Sequence, residues 1–260
     1  IESSSKQARV FKIMYETIIL FIIVGFIAQI IDGALGMAYG VSSTTVLLSI
    51  GIPPATASAS VHTAEIFTSG VSGLSHLKLG NVNKKLLRKL LIPGAIGGAL
   101  GAYILTAIPG RMTKPFIAFY LLIMGIIILR KAFKKIQEKN VKTKLFPLGL
   151  AGGFFDAIGG GGWGPIVTST LVARGNNPRF TIGSVNLAEF FVTVTEAATF
   201  LATIGLVQWQ VIVGLFVGGA LAAPLAAYVC KRLPSKTLMI IVGTLIIVLS
   251  IRTIYLALTP

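Results

Sequence analysis

The sequence predicts an all-α polytopic membrane protein of two inverted repeats, each with a broken or re-entrant glycine-rich helix pair plus three spanning helices. Three observations carry that expectation. The 260 residues are 54% hydrophobic and 12% charged, with a mean hydropathy of +0.86, whereas soluble domains carry about 25% charged residues. The stretch from Gly149 to Pro165, G-L-A-G-G-F-F-D-A-I-G-G-G-G-W-G-P, sets four consecutive glycines between apolar runs. Glycine disfavours helix by about 1 kcal/mol per residue relative to alanine, and non-helical backbone at membrane depth survives only buried in protein or lining a cavity. The third observation is an internal repeat.

Ten apolar segments follow one another, at 13–35, 38–51, 55–77, 88–108, 113–130, 145–158, 163–173, 180–204, 207–229 and 237–258. At 1.5 Å per residue, segments of 11–15 residues reach only about 17–23 Å across a hydrocarbon core of about 30 Å. The second, sixth and seventh are therefore half-helices meeting at glycine, in a re-entrant hairpin or a broken span. Lys6, Arg9 and Lys12 before the first segment imitate a signal peptide, but repeat matches continue through that segment, which keeps it in the mature chain.

A shift of 124 residues pairs Gly25 with Gly149, Asp32 with Asp156, Gly36 with Gly160, Gly40 with Gly164, Pro54 with Pro178 and Glu65 with Glu189. Tyr39 falls opposite Trp163. At a shift of 121, Gly97-Gly98-Ala99-Leu100 matches Gly218-Gly219-Ala220-Leu221. The expected organisation is a first repeat at 13–130, a basic cytoplasmic linker at 131–144 and a second repeat at 145–258. Gly94, Gly98 and Ala102, like Gly214, Gly218 and Ala222, recur every four positions, a spacing that lets helices pack closely.

The formal charge of +15 is not a nucleic-acid signature here, because the basic residues sit in short loops between apolar spans. That distribution sets membrane topology. Loops 78–89, 130–144, 174–179 and 231–236 placed in the cytoplasm put most of the 23 basic residues inside. Equivalent loops of the two halves then face opposite sides, so the halves are inverted and both termini lie outside. Inverted repeats with interrupted helices near the midplane are the plan of secondary transporters. A single cysteine, Cys230, excludes an intrachain disulfide or a cysteine metal cluster. With His76 near a loop as the second histidine, no metal and no cofactor is expected. Nor is an enzyme, since no nucleophile–base set is evident.

Of the eight acids, Asp32, Glu65, Asp156, Glu189 and Glu196 lie within apolar segments, where an ionisable residue marks function by default. Asp32 and Asp156 precede the breaks, which suits either a backbone clamp or proton coupling. Glu65 and Glu189 lie mid-segment, where an inter-helix hydrogen bond and proton coupling stay equally open. One turn earlier, His62 and Asn186 share a face with those glutamates and are structural or site residues. Half-helix N-termini after Gly40 and Gly164 are expected to aim unpaired N–H groups inward, which suits an oxyanion. Hydroxyls of Ser42, Ser43, Thr44 and Thr168 would assist. The candidate substrate-binding set is Gly36, Tyr39, Gly40, His62, Gly160, Gly161, Gly162, Trp163 and Asn186, with Tyr39 and Trp163 as pocket wall or plain packing.

The motifs G-F-I-A-Q-I-I-D-G-A-L-G-M-A-Y-G at 25–40 and G-L-A-G-G-F-F-D-A-I-G-G-G-G-W-G-P at 149–165 resemble those of the TauE/SafE sulfite exporter family. The resemblance covers about residues 17–258. It implies a plasma-membrane transporter for sulfite, sulfonates or related sulfur oxyanions, often in the export direction. The first half departs from the glycine-rich pattern with Leu35, Met37 and Ala38. The expectation is thus a secondary exporter of a small sulfur-containing anion, alternating access at a midplane site with proton coupling open. A passive anion channel of the same architecture is the alternative. The expected partners are the anion and the lipid bilayer, not nucleic acid.

Overall fold

The structure, a computed structural model, describes residues 18–32, 37–133, 143–174, 176–205, 208–232 and 235–259. Among these every regular element is helical: α1 (Ile18–Asp32), α2 (Tyr39–Ser49), α3 (Pro54–Lys78), α4 (Lys84–Ala107), α5 (Gly110–Lys131), α6 (Leu145–Gly159), α7 (Ser169–Ala173), α8 (Pro178–Ile204), α9 (Trp209–Arg232) and α10 (Ser235–Leu258). A π-helical turn, Gly164–Thr168, leads into α7. Four helices are long and apolar enough to cross a membrane: Lys84–Ala107, Gly110–Lys131, Phe180–Ile204 and Met239–Leu258. The chain is a multi-pass α-helical membrane protein. Much of the basic linker, residues 134–142, and the N-terminal Lys6, Arg9 and Lys12 lie outside the described residues.

Local signals account for the boundaries. Pro54 stands at the first position of α3 after extended Pro53, where its missing N–H costs nothing. Helix α4 starts at Lys84 rather than at 88, because the Asn83 side chain accepts from Lys85 N at 3.0 Å and Leu86 N at 3.2 Å. Asn83→Ala is expected to remove about 1 kcal/mol of stability, read as a lower unfolding midpoint in detergent. Helix α6 ends where Gly160 turns left-handed at φ 64°, a conformation glycine adopts without penalty.

Tertiary packing pairs α4 with α6, α5 with α10 and α3 with α8, and sets α8 against α4 and α3 against α9. Helices α4 and α6 approach backbone to backbone, with no room for a side chain on Gly97 beside Leu150 or on Gly153 beside Gly94. The same kind of approach joins α1 to α9, at Gly25 against Leu215 and Gly218 against Ile22. Along α3 and α8, His62 meets Glu196, Gly70 meets Phe190 and Ser72 meets Asn186. Numbers fall along α8 as they rise along α3, so the two run antiparallel. Gly125 against Ile246 and Leu129 against Gly243 show that α5 and α10 are antiparallel as well. Tyr39, Trp163, Leu47 and Phe200 are buried inside, while Phe116, Ile92, Phe119, Leu74 and Leu256 face outward, as helices bathed in lipid require.

Candidate functional site

The interior is organised by the two glycine breaks, which touch each other. After Gly160 the chain passes through Gly161 at φ 140°. A Cβ on Gly40 would stand 2.6 Å from the Gly161 Cα, and one on Gly161 would overlap the backbone of Gly40 and Val41. Ending a helix leaves its last carbonyls without partners, and side chains from three elements supply donors to them. Ser58 Oγ donates to Ala157 O, Thr44 Oγ1 donates to Gly160 O, and the Tyr120 hydroxyl donates to Gly161 O at 3.3 Å. His62 Nε2 lies 3.2 Å from Asp156 O.

Across each break an aspartate ties the restart of the chain. Trp163 N donates to Asp156 Oδ1 at 2.9 Å, and Tyr39 N donates to Asp32 Oδ1 at 3.4 Å. Both bonds span seven residues. The first N–H of each restart, Tyr39 N and Trp163 N, is thus held by the chain's own carboxylate. The breaks also differ: α2 starts from Ala38 at φ 98° as a regular α-helix, whereas the second restart is the π-turn. Three buried hydroxyls just beyond the breaks, Ser42 Oγ, Ser43 Oγ and Thr168 Oγ1, have no hydrogen-bond partner.

Beside the crossing lies a buried ionisable cluster. His62 Nδ1 stands 3.1 Å from Glu196 Oε2 on α8 and 3.4 Å from Glu65 Oε2, three residues along α3. Asp156 joins them, so that His62, Asp156 and Glu196 each offer an atom within 4.8 Å of the other two. Glu189 lies within electrostatic reach of Glu65, Asp32, Asp156 and Glu196. No Lys or Arg is buried among the described residues, so the centre is acidic with one imidazole.

The family model for the sulfite exporter TauE/SafE matches residues 21–253. The chain belongs to the TauE/SafE family. It is 43% identical over 247 residues to "Probable membrane transporter protein YtnM" of Bacillus subtilis (strain 168), covering 91% of this chain and 82% of that one. It is 29% identical over 181 residues to "Probable membrane transporter protein ORF9" of Sinorhizobium sp, covering 68% and 64%. A second Bacillus subtilis (strain 168) protein, "Probable membrane transporter protein YjnA", is 21% identical over 249 residues, covering 90% and 98%. No solved structure matches the chain. The chain is a membrane transporter of the TauE/SafE family.

Within this TauE/SafE chain, Gly40, Gly160 and Gly161 form the crossing, and Gly162 lies against the Tyr120 hydroxyl. Gly36 lies outside the described residues. Tyr39 donates its hydroxyl to Leu215 O at 3.2 Å, and the Trp163 indole donates to Val185 O at 3.1 Å with its ring over Gly94 and Gly152. Asn186 is not beside His62. It donates to Ser72 Oγ at 2.9 Å, ten residues and about 15 Å along α8 from Glu196. Glu196 counts in the sequence among the five acids inside apolar segments but has no role assigned to it there. Its repeat mate at a shift of 124 is Ser72, so a search for paired acids passes it over, although an acid inside an apolar span is a signal by itself.

Proposed function

We propose that this TauE/SafE protein is a secondary transporter that exports a small sulfur-containing anion, such as sulfite or an organosulfonate, by alternating access at a site between the two breaks. The observation that carries the reading is the backbone crossing of Gly40 and Gly161, flanked by the unpartnered buried hydroxyls of Ser42, Ser43 and Thr168. A buried polar group without a partner is costly, and hydroxyl donors beside the crossing suit the oxygens of a sulfur oxyanion. Membership of a family described as sulfite exporters supports the substrate class. Tyr39, Gly160, Gly162 and Trp163 shape the wall of this site.

The halves, 13–130 and 145–258 joined by the basic linker 131–144, are proposed to be inverted. Support comes from the antiparallel course of the equivalent helices α3 and α8, and again α5 and α10. Inversion also places the loops 78–89, 174–179 and 231–236 with the linker on the cytoplasmic side. Rocking one half against the other around the crossing then exposes the site to alternate sides.

The test is flux. The full chain reconstituted in liposomes is expected to release preloaded sulfite or an alkanesulfonate at a rate that saturates with concentration. Release that rises without saturation and carries current would favour the passive channel. Absence of flux with every sulfur oxyanion tried, at either sign of pH gradient, would overturn the substrate assignment.

A further inference from the structure

We propose that His62, Glu65 and Glu196 hold a proton that travels with the substrate, one for each monovalent anion. The inference rests on the transport reading above and adds to it the co-transported ion and the residues that bind it. Hydrogen-bond directions supply the first argument. The Asp156 carbonyl only accepts, so the hydrogen between it and His62 belongs to Nε2. Nδ1 therefore faces Glu196 Oε2 and Glu65 Oε2 at 3.1 and 3.4 Å. Without a further proton these would be three acceptors in contact, with His62 and Glu196 both at 0% exposure, an arrangement burial penalises heavily. One proton shared among Nδ1 and the two carboxylates resolves it. Neither Glu196 oxygen is engaged in a directed hydrogen bond, nor is Asp156 Oδ2, so the proton meets no fixed competitor.

The second argument is a control built into the chain. A shift of 124 turns His62 into Asn186 and Ser72 into Glu196. The contact between α3 and α8 therefore occurs twice, once as His62 with Glu196 and once as Ser72 with Asn186. The second copy is a neutral amide–hydroxyl bond at 2.9 Å. Packing of α3 on α8 thus needs no ionisable group, and the charges at the first copy serve another purpose.

The third argument is charge. Titratable groups facing His62 are Glu65 from its own helix, Glu196 from α8 and Asp156 from α6. A bare anion approaching these carboxylates is repelled, and adding the proton removes part of that repulsion. Proton and anion consequently load together and leave together, which is symport, and for a monovalent anion it is electroneutral.

The test uses the full chain in liposomes with an alkanesulfonate, which unlike sulfite keeps one charge across neutral pH. A pH difference of one unit is expected to drive about a tenfold anion gradient, accumulated on the alkaline side and indifferent to an imposed membrane potential. The double variant His62→Asn with Glu196→Ser, which copies the neutral contact, is expected to lower that ratio to about one. A tenfold ratio retained in the double variant, or one that follows the membrane potential, would overturn the proposal. Infrared titration of the purified chain in detergent reads the site without any flux, and Glu196→Gln is expected to abolish its protonated-carboxyl signal. An unchanged signal would overturn the proposal, as would a stoichiometric transition metal in the wild type that is lost from the variant. A wild type that titrates but moves no sulfur anion would remove the substrate reading and leave the proton site in place.

Discussion

Gly161→Ala is expected to abolish transport and to cost several kcal/mol of stability. Two independent penalties meet at this position. The backbone sits at φ 140°, where a residue with a Cβ is strained by about 1–3 kcal/mol. The added carbon would also overlap Val41 N and the Gly40 carbonyl carbon, main-chain atoms that cannot rotate aside, and such overpacking costs about 1–3 kcal/mol more. Relief requires the two breaks to separate, which dismantles the crossing on which the proposed site depends. Gly80→Ala is the matched comparison, because Gly80 has φ 69° but nothing within 4 Å of an added Cβ. Thermal unfolding in detergent and flux in liposomes are expected to show a large loss for Gly161→Ala and a small one for Gly80→Ala. Equal losses would mean that conformation alone matters and that the contact between the breaks carries nothing.

Asp156→Ala is expected to be nearly as damaging, and Asp156→Asn far less so. Alanine removes the acceptor for Trp163 N, held at 2.9 Å, and for Gly162 N. Each buried N–H left without a partner costs about 1–3 kcal/mol, and Trp163 at 0% exposure has no water to turn to. Asparagine keeps a carbonyl oxygen in the Oδ1 position and puts its amide where Oδ2 now has no partner. Unfolding midpoints are therefore expected to fall in the order wild type, Asn, Ala, with the larger step at Ala. Midpoints that drop equally for both would show that the negative charge, rather than the acceptor, holds the second break together.

Glu196 shows why part of the site escaped a linear reading. Repeat matching selects residues that recur in kind, and it found Asp32 with Asp156 and Glu65 with Glu189. The member that completes the cluster recurs as serine, and its partner His62 is 134 positions away in the chain. Only the antiparallel course of α3 and α8 makes those two neighbours.

Composition and glycine placement alone determined that this chain lives in a bilayer and that α6 stops at glycine. Those are properties of short stretches, set by hydrophobicity, by the backbone freedom of glycine and by the cost of an unsatisfied amide in lipid. Which polar atoms answer one another was decided by the folded arrangement, because a hydrogen bond depends on distance and direction between groups far apart in the chain. The same contact between α3 and α8 is made by His62 with Glu196 at one end and by Asn186 with Ser72 at the other. That difference makes one end ionisable and leaves the other neutral.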